Sequence, residues 1–104
     1  MSTFDDREHA FEAKFAHDEE MKFKAEARRD KLVGLWAAEL LGKTGDEAEA
    51  YAGSVVVADL EEAGDEDVVR KLVADLTGHA DEATIRAKLV EKLAEAKAQM
   101  LAEH

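Results

Sequence analysis

The sequence predicts an all-α protein, a four-helix bundle with a long first helix whose N-terminal part is a mobile arm. Three observations predict this fold. The 104 residues include no proline, and Ala, Glu, Lys and Leu dominate, which favours helices over strands. The breaks fall at glycines, which are followed by residues that commonly begin helices. Between the breaks, apolar residues recur three and four positions apart, the spacing of one helix face.

The first helix is predicted from about Phe4 to Leu41. It ends at Gly42, because glycine adopts the left-handed conformation of a helix terminus without steric cost. Its C-terminal part carries the bulkiest apolar group in the chain, which we expect at the centre of the core. This group consists of Leu32, Val33, Leu35, Trp36, Leu40 and Leu41.

The second helix is predicted to begin at Thr44, where Glu47 three residues later completes a capping box. It continues to about Glu62 and is closed by Gly64. Its apolar stripe is built mostly of small side chains, which let neighbouring helices approach closely. The stripe consists of Ala48, Tyr51, Ala52, Val55 and Ala58.

The third helix is predicted to be capped by Asp65 and ended by Gly78, and the fourth to begin at Asp81. Each has one apolar face. The face of the third helix consists of Val68, Val69, Leu72, Val73 and Leu76, and that of the fourth consists of Ile85, Leu89, Leu93, Ala96 and Met100.

The length of the first helix divides the chain into two parts. A helix of about 38 residues spans roughly 57 Å, whereas a partner of about 18 residues spans roughly 27 Å. Charge divides at a similar place, since residues 1–20 carry a net charge of −5 and residues 21–31 a net charge of +3. We therefore predict a mobile acidic amphipathic arm at 1–20 and a four-helix bundle at 21–104.

The arm has phenylalanines on one face, at 7 and 4 spacing, and can bury little apolar surface alone. We expect it to fold on binding, as an amphipathic helix in a groove of another protein. The alternative is that the phenylalanines fold back onto the bundle as ordinary core. The predicted partner-binding residues are Phe4, Asp5, Asp6, Arg7, Glu8, Phe11, Glu12, Lys14 and Phe15.

Composition excludes several classes of protein. The absence of cysteine excludes disulfides, thiolate zinc sites and cysteine nucleophiles, and it favours a cytosol-like compartment. The net charge of −11 argues against a nucleic-acid partner and suits a basic protein surface. No stretch approaches about 18 uncharged residues, so we expect no membrane insertion. The histidines lack the Glu-x-x-His spacing of a di-iron bundle, and we expect neither a metal site nor an enzyme.

Six runs of residues follow one another in a recognisable order and spacing, namely Phe4–Glu8, Ala10–Glu20, Phe23–Arg29, Gly34–Glu39, Tyr51–Ala52 and Gly64–Val68. This pattern resembles the ζ subunits, the small ATPase inhibitors of alpha-proteobacterial F-type ATP synthases. The resemblance covers essentially the whole chain and becomes looser after Gly78. It implies a cytoplasmic regulatory protein, associated peripherally with the membrane-bound ATP synthase. It also implies that residues 1–20 are an inhibitory arm that binds the F1 sector, where a helix lodged at an α/β catalytic interface blocks ATP hydrolysis and leaves synthesis open.

The family is also associated with ADP and ATP binding to the bundle, as regulatory ligands rather than required cofactors. The sequence lacks a phosphate-binding loop, because Ala37 stands where the motif that would end at Gly42-Lys43-Thr44 requires glycine. The family association still leaves an alternative function, that of an adenine-nucleotide-binding sensor that regulates a protein partner. In that case the nucleotide would contact basic side chains, which can also be interpreted as a solvated face paired with Glu19, Glu20 and Glu26. The candidate nucleotide-binding residues are Lys24, Arg28, Arg29, Lys31 and Trp36.

Overall fold

The computed structural model describes residues 19–61 and 64–103, and within them it confirms the all-α fold, with four helices and no strand. The predicted arm and the part of the first helix before residue 19 lie outside the described residues. The observed ends fall within a residue or two of the predicted ones wherever both are described. The helices are α1 (Glu19–Leu40), α2 (Gly45–Glu61), α3 (Glu66–Asp75) and α4 (Glu82–Glu103).

The four helices form an up-and-down bundle. Helix α1 packs along α2 on one side and α4 on the other, and the shorter α3 closes the bundle between α2 and α4. Helix α1 runs antiparallel to both of its long neighbours, in agreement with the short connections. Against α4, Arg28 contacts Glu103 and Trp36 contacts Lys88, and against α2, Arg29 contacts Asp59 and Gly34 lies at Ala52.

The end of α1 is a Schellman motif centred on Gly42, which has a φ of 75°. The Lys43 N–H donates to the Ala38 carbonyl at 2.9 Å, and the Gly42 N–H donates to the Glu39 carbonyl at 3.1 Å. These two bonds satisfy carbonyl groups that a helix end would otherwise leave unpaired. The prediction that the first helix ends at Gly42 is confirmed.

Of the helix starts, α4 follows its prediction and α2 departs from it. The Asp81 carboxylate accepts a hydrogen bond from the Thr84 N–H at 2.8 Å, which is the predicted side-chain cap. At α2 the Glu47 N–H donates at 3.2 Å to the backbone carbonyl of Thr44 rather than to its hydroxyl, so the predicted capping box is wrong. Gly45, with a φ of 55°, makes the turn into α2 instead.

The core centres on α3 and α4 more than on α1. The largest fully buried apolar side chains are those of Leu72, Leu76 and Ile85. From the group predicted at the core centre, only Val33 is fully buried; Trp36, Leu40 and Leu41 pack against the core from partly buried positions, and Leu32 and Leu35 are partly buried outside it. That prediction is therefore corrected: α1 fills its buried face with small residues, and α3 supplies the bulk.

The reason lies in the close approach of α1 to α2 at Gly34. A Cβ atom placed on Gly34 would lie 2.6 Å from the Cα of Ala52 and 3.3 Å from a methyl carbon of Val55. Atoms at such distances overlap, so the two helix backbones can meet here only because one residue has no side chain. The small side chains predicted for the α2 stripe are the other half of this contact.

The two mid-helix glycines give a direct test of this contact. We expect Gly53→Ala to raise the free energy of unfolding by about 0.5–1 kcal/mol, since the new methyl group meets nothing within 4 Å and alanine favours a helix. We expect Gly34→Ala to lower it by about 1–3 kcal/mol, because the methyl group forces α1 and α2 apart. Denaturant unfolding followed by far-ultraviolet circular dichroism measures both, and a Gly34→Ala protein as stable as the parent would contradict the contact.

Candidate functional site

The first described residues, at the start of α1, lie at the end of the bundle where the predicted arm would join it. Glu19 and Glu20 are exposed, and Met21 is the first apolar side chain of α1. A small apolar cluster around the buried Ala25 fastens this end of α1 to the second half of α4. Its partly buried members are Met21, Leu93, Met100 and Leu101. The predicted partner-binding residues, Phe4 to Phe15, lie outside the described residues.

A bidentate ion pair reinforces the same junction. Arg28 donates to both carboxylate oxygens of Glu103, with Nη1 to Oε1 at 2.8 Å and Nη2 to Oε2 at 2.9 Å. The pair raises the pKa of Arg28 and lowers that of Glu103, in each case chiefly through this hydrogen bonding. The planar fork fixes the orientation of α1 against the last turn of α4.

The structure places three of the four predicted basic nucleotide-binding residues on one face of α1. Lys24, Arg28 and Lys31 lie within about 60° of one another around the helix axis. Their partners point in different directions: Lys24 pairs with Glu20 at 3.3 Å within α1, and Lys31 pairs with Glu49 of α2 at 3.6 Å. The Lys24 pair is of the kind that the solvated-face interpretation predicts, whereas the Lys31 pair bridges two helices.

The other two predicted residues lie elsewhere. Arg29 is only 3% exposed, and Trp36 packs against the core with Lys88 above its ring, 5.7 Å from the centroid. The five candidate residues therefore lie on two sides of α1, with Arg29 and Trp36 turned toward the bundle and Lys24, Arg28 and Lys31 on the other face. Nucleotide binding by these residues stays a prediction.

Arg29 is the centre of a buried ion cluster. Its Nε and Nη2 donate to Oδ1 of the neighbouring Asp30 at 3.0 and 2.8 Å, and Asp30 is fully buried. Nη2 also lies 3.0 Å from Asp65, just before α3, and 3.6 Å from Asp59 near the end of α2. One guanidinium therefore ties three segments of the bundle together through three carboxylates.

The burial of this cluster changes the acidity of its members. Burial alone would lower the pKa of Arg29, but the charges of Asp30 and Asp65 and their hydrogen bonds outweigh it, so the pKa is raised and the guanidinium is always charged. Burial, together with the neighbouring Asp59 carboxylate, raises the pKa of Asp30 to about 8 against the opposing effect of Arg29. Oδ2 of Asp30 has no hydrogen-bond partner among the described residues.

Sequence reasoning missed this cluster, although a signal for it was present. Arg29 falls in the i, i+4 series that joins the buried Ala25 and Val33, which places it on the core side of α1. The net charge of the basic residues does not show toward which side of α1 each side chain points. The prediction that Asp65 caps α3 is wrong. Its side chain makes no cap hydrogen bond there, because its carboxylate faces Arg29 instead.

A second polar contact joins α2 to α3. The Tyr51 hydroxyl donates to Asp75 at 2.8 Å, the Lys71 ammonium donates to the same carboxylate at 2.9 Å, and Lys71 lies 5.1 Å from the centroid of the Tyr51 ring. Burial would raise the pKa of Asp75, but its bonds to Lys71 and Tyr51 outweigh burial and lower it. Tyr51 therefore belongs both to the predicted apolar stripe of α2 and to the polar contact with Asp75 and Lys71 that joins α2 to α3.

Two general features complete the description. In residues 19–61 and 64–103 no helix is both long and apolar enough to cross a membrane. Over the same residues, no three carboxylate or imidazole side chains are grouped closely enough to hold a metal ion. In the same part of the chain, most of the charged side chains pair with another side chain on their own helix or on a neighbouring helix.

These features define a class, that of small acidic proteins built as an antiparallel four-helix bundle with ion pairs bridging the helices. The chain belongs to the ATPase inhibitor subunit zeta family, whose family model matches residues 1–99. This match confirms the resemblance seen in the sequence. It places the protein among ATPase inhibitors and implies an ATP synthase as partner.

Structural comparison agrees with the family. A chain whose structure was determined in solution by NMR shares 62% sequence identity and a TM-score of 0.75, over 81% of this chain and 99% of that one. Among curated proteins no significant match is found.

The neighbouring arginines of α1 provide a matched test of the ion cluster. We expect Arg29→Met to lower the free energy of unfolding by about 3–5 kcal/mol, because it leaves buried carboxylates without their counter-charge. Arg28→Met removes a partner of the exposed Glu103 and should cost about 1 kcal/mol or less. Denaturant titration at neutral pH measures both changes, and equal losses would show that Arg29 has no special role.

Proposed function

We propose that the protein inhibits ATP hydrolysis by the F1 sector of an ATP synthase, by inserting residues 1–20 as an amphipathic helix at an α/β catalytic interface. The observation that carries this proposal is the family match, which begins at residue 1 and so includes the whole predicted arm together with the bundle. The inhibitor role follows from the family, and the assignment of that role to the arm is our proposal.

The packing of the bundle supports this division of roles. The predicted arm ends at Glu20, and at Met21 and Ala25 the chain is already fastened to α4. The Arg28–Glu103 pair adds a directional bond seven residues further on. A helix that is held firmly at its base keeps the attachment point of the predicted mobile arm in place, so binding has to order only the arm itself.

The composition of the arm suits insertion between protein subunits. Phe4, Phe11 and Phe15 follow the spacing of one helix face, and aromatic anchors of this kind dominate the energy of many protein interfaces. The net charge of −5 on residues 1–20 favours a basic receiving surface and speeds encounter with it. An acidic amphipathic helix therefore has both the anchors and the charge that a groove on a partner can select.

Directional inhibition follows from the cycle of the enzyme. The catalytic interfaces of F1 open and close in sequence as the central shaft turns. A ligand shifts such a cycle only by the difference in its affinity for the two states. A helix that fits an opening interface but clashes with a closed one opposes the closure of that interface, which the next round of ATP hydrolysis requires. Rotation in the direction of ATP synthesis expels the helix.

Phenylalanine substitutions test the proposal with an internal control. We expect Phe11→Ala and Phe15→Ala each to raise the concentration needed for half-inhibition of cognate F1 about tenfold or more, as for buried aromatic anchors elsewhere. Phe23→Ala removes a phenylalanine that is 54% exposed on α1, beyond the arm, and should leave inhibition unchanged. Steady-state ATP hydrolysis at increasing inhibitor concentration measures all three.

Removal of residues 1–20 is the stricter version of this test. The truncated chain should lose inhibition, and its helical content should be checked by circular dichroism before the comparison is made. Undiminished inhibition by a folded bundle would contradict the role of the arm. A loss of inhibition in Phe23→Ala as large as that in Phe11→Ala would instead extend the binding surface onto α1.

A further inference from the structure

The unpartnered Oδ2 of Asp30 indicates that this carboxyl group carries a proton. Both hydrogen bonds from Arg29 go to Oδ1, and Oδ2 of this fully buried side chain accepts none from the described residues. The Asp59 carboxylate of α2 lies 3.6 Å from Nη2 of the same Arg29, and its proximity raises the pKa of Asp30. Two ionised carboxylates have only acceptors, so a hydrogen bond can form between them only if one of them carries a proton.

A proton on Asp30 reduces the excess of negative charge around Arg29. This one guanidinium contacts three carboxylates, those of Asp30 in its own helix, Asp59 from α2 and Asp65 from the segment before α3. From α4, Arg86 lines the same cavity of about 300 Å³ as Arg29 and Asp65. The guanidinium of Arg86 is already engaged by two other carboxylates. These are Glu66, at 3.1 Å, and Glu82, at 2.9 Å.

We propose that Asp30 and Asp59 share one proton at neutral pH, and that its loss at alkaline pH releases Asp65 from Arg29 and loosens the start of α3. This inference goes beyond inhibition of an ATPase. It concerns a proton-sensitive contact within the bundle.

Asp65 is the member of the cluster that can move. Its side chain is 51% exposed, against 0% for Asp30 and 13% for Asp59, so it returns to water at the smallest cost. It makes no side-chain cap on α3, and it follows Gly64, whose φ of 94° requires glycine. When the proton leaves, three carboxylates compete for one guanidinium, and repulsion acts most freely on the one that is least enclosed.

The sign of the pH effect follows from linkage. Burial raises the pKa of Asp30 to about 8 in the folded protein, whereas an unfolded chain holds aspartate near about 3.9. The folded state therefore binds more protons than the unfolded state between these values. The free energy of unfolding must fall as the pH rises through this window, and the bundle is less stable at about pH 9 than at about pH 6.

Asp30→Asn separates the proton from the shape of the side chain. The amide keeps a carbonyl oxygen for Arg29 and offers a permanent N–H to Asp59, which reproduces the protonated pair. In the full-length protein we expect Asp30→Asn to remove the loss of stability between about pH 6 and pH 9. Asp46→Asn changes an exposed acid in the first turn of α2 and should retain the loss of the parent protein.

Carboxyl-carbon NMR titration of the unaltered protein tests the shared proton even if Asp30→Asn fails to fold. A midpoint for the Asp30–Asp59 pair near pH 8 supports the proposal, and titration of both groups below about pH 5 overturns it. Amide exchange tests the release of Asp65. The Val69 N–H donates to the Asp65 carbonyl at 3.0 Å and is the first bonded amide of α3. Loss of its protection and that of the next two amides at about pH 9, after correction for intrinsic base catalysis, supports the release, and unchanged protection overturns it.

Discussion

The ion cluster around Arg29 is the interaction on which the arrangement of the bundle depends most. Desolvating charges is costly, and a buried ion pair stabilises a fold only when its geometry and hydrogen bonds are good. Here one guanidinium contacts carboxylates before α3, near the end of α2 and within α1 itself. Because α3 has only 10 residues, the point where it begins decides whether Leu72 and Leu76 reach the core. The cluster fixes that point.

The close approach of α1 and α2 is the second constraint, and it explains the division of labour in the core. With Gly34 against Ala52, the facing surfaces of α1 and α2 have no room for large side chains. The volume of the core is then supplied by α3 and α4. This is why the bulky apolar residues at the end of α1 surround the core rather than fill it.

The parts of the fold that could be predicted from sequence are those set by local chemistry. Gly42 ends a helix through its own φ, Asp81 caps through its own carboxylate, and the stripe of α3 follows from the period of the helix. The helical series places Arg29 on the core side of α1, but its carboxylate partners on other segments cannot be read from the sequence, and the cap expected of Asp65 is overridden by one such distant contact. Of the candidate site, the phenylalanine spacing and the charge of the arm were legible in the sequence. The anchorage of its base on α4 depends on contacts between residues more than 60 positions apart, such as the Arg28–Glu103 pair.

Two faces of α1 are held by different partners, and this separates the proposed functions of the molecule. From Met21 to Arg28 the helix is fastened to α4 by apolar contacts and by Glu103, none of which contains a group that titrates near neutrality. Arg29 follows Arg28 directly but points about 100° away from it around the helix axis, and it joins α1 to α2 and α3. Loosening the start of α3 leaves the first fastening intact. A change of proton occupancy in the cluster can therefore alter the far side of the bundle while the base of the arm stays fixed on α4.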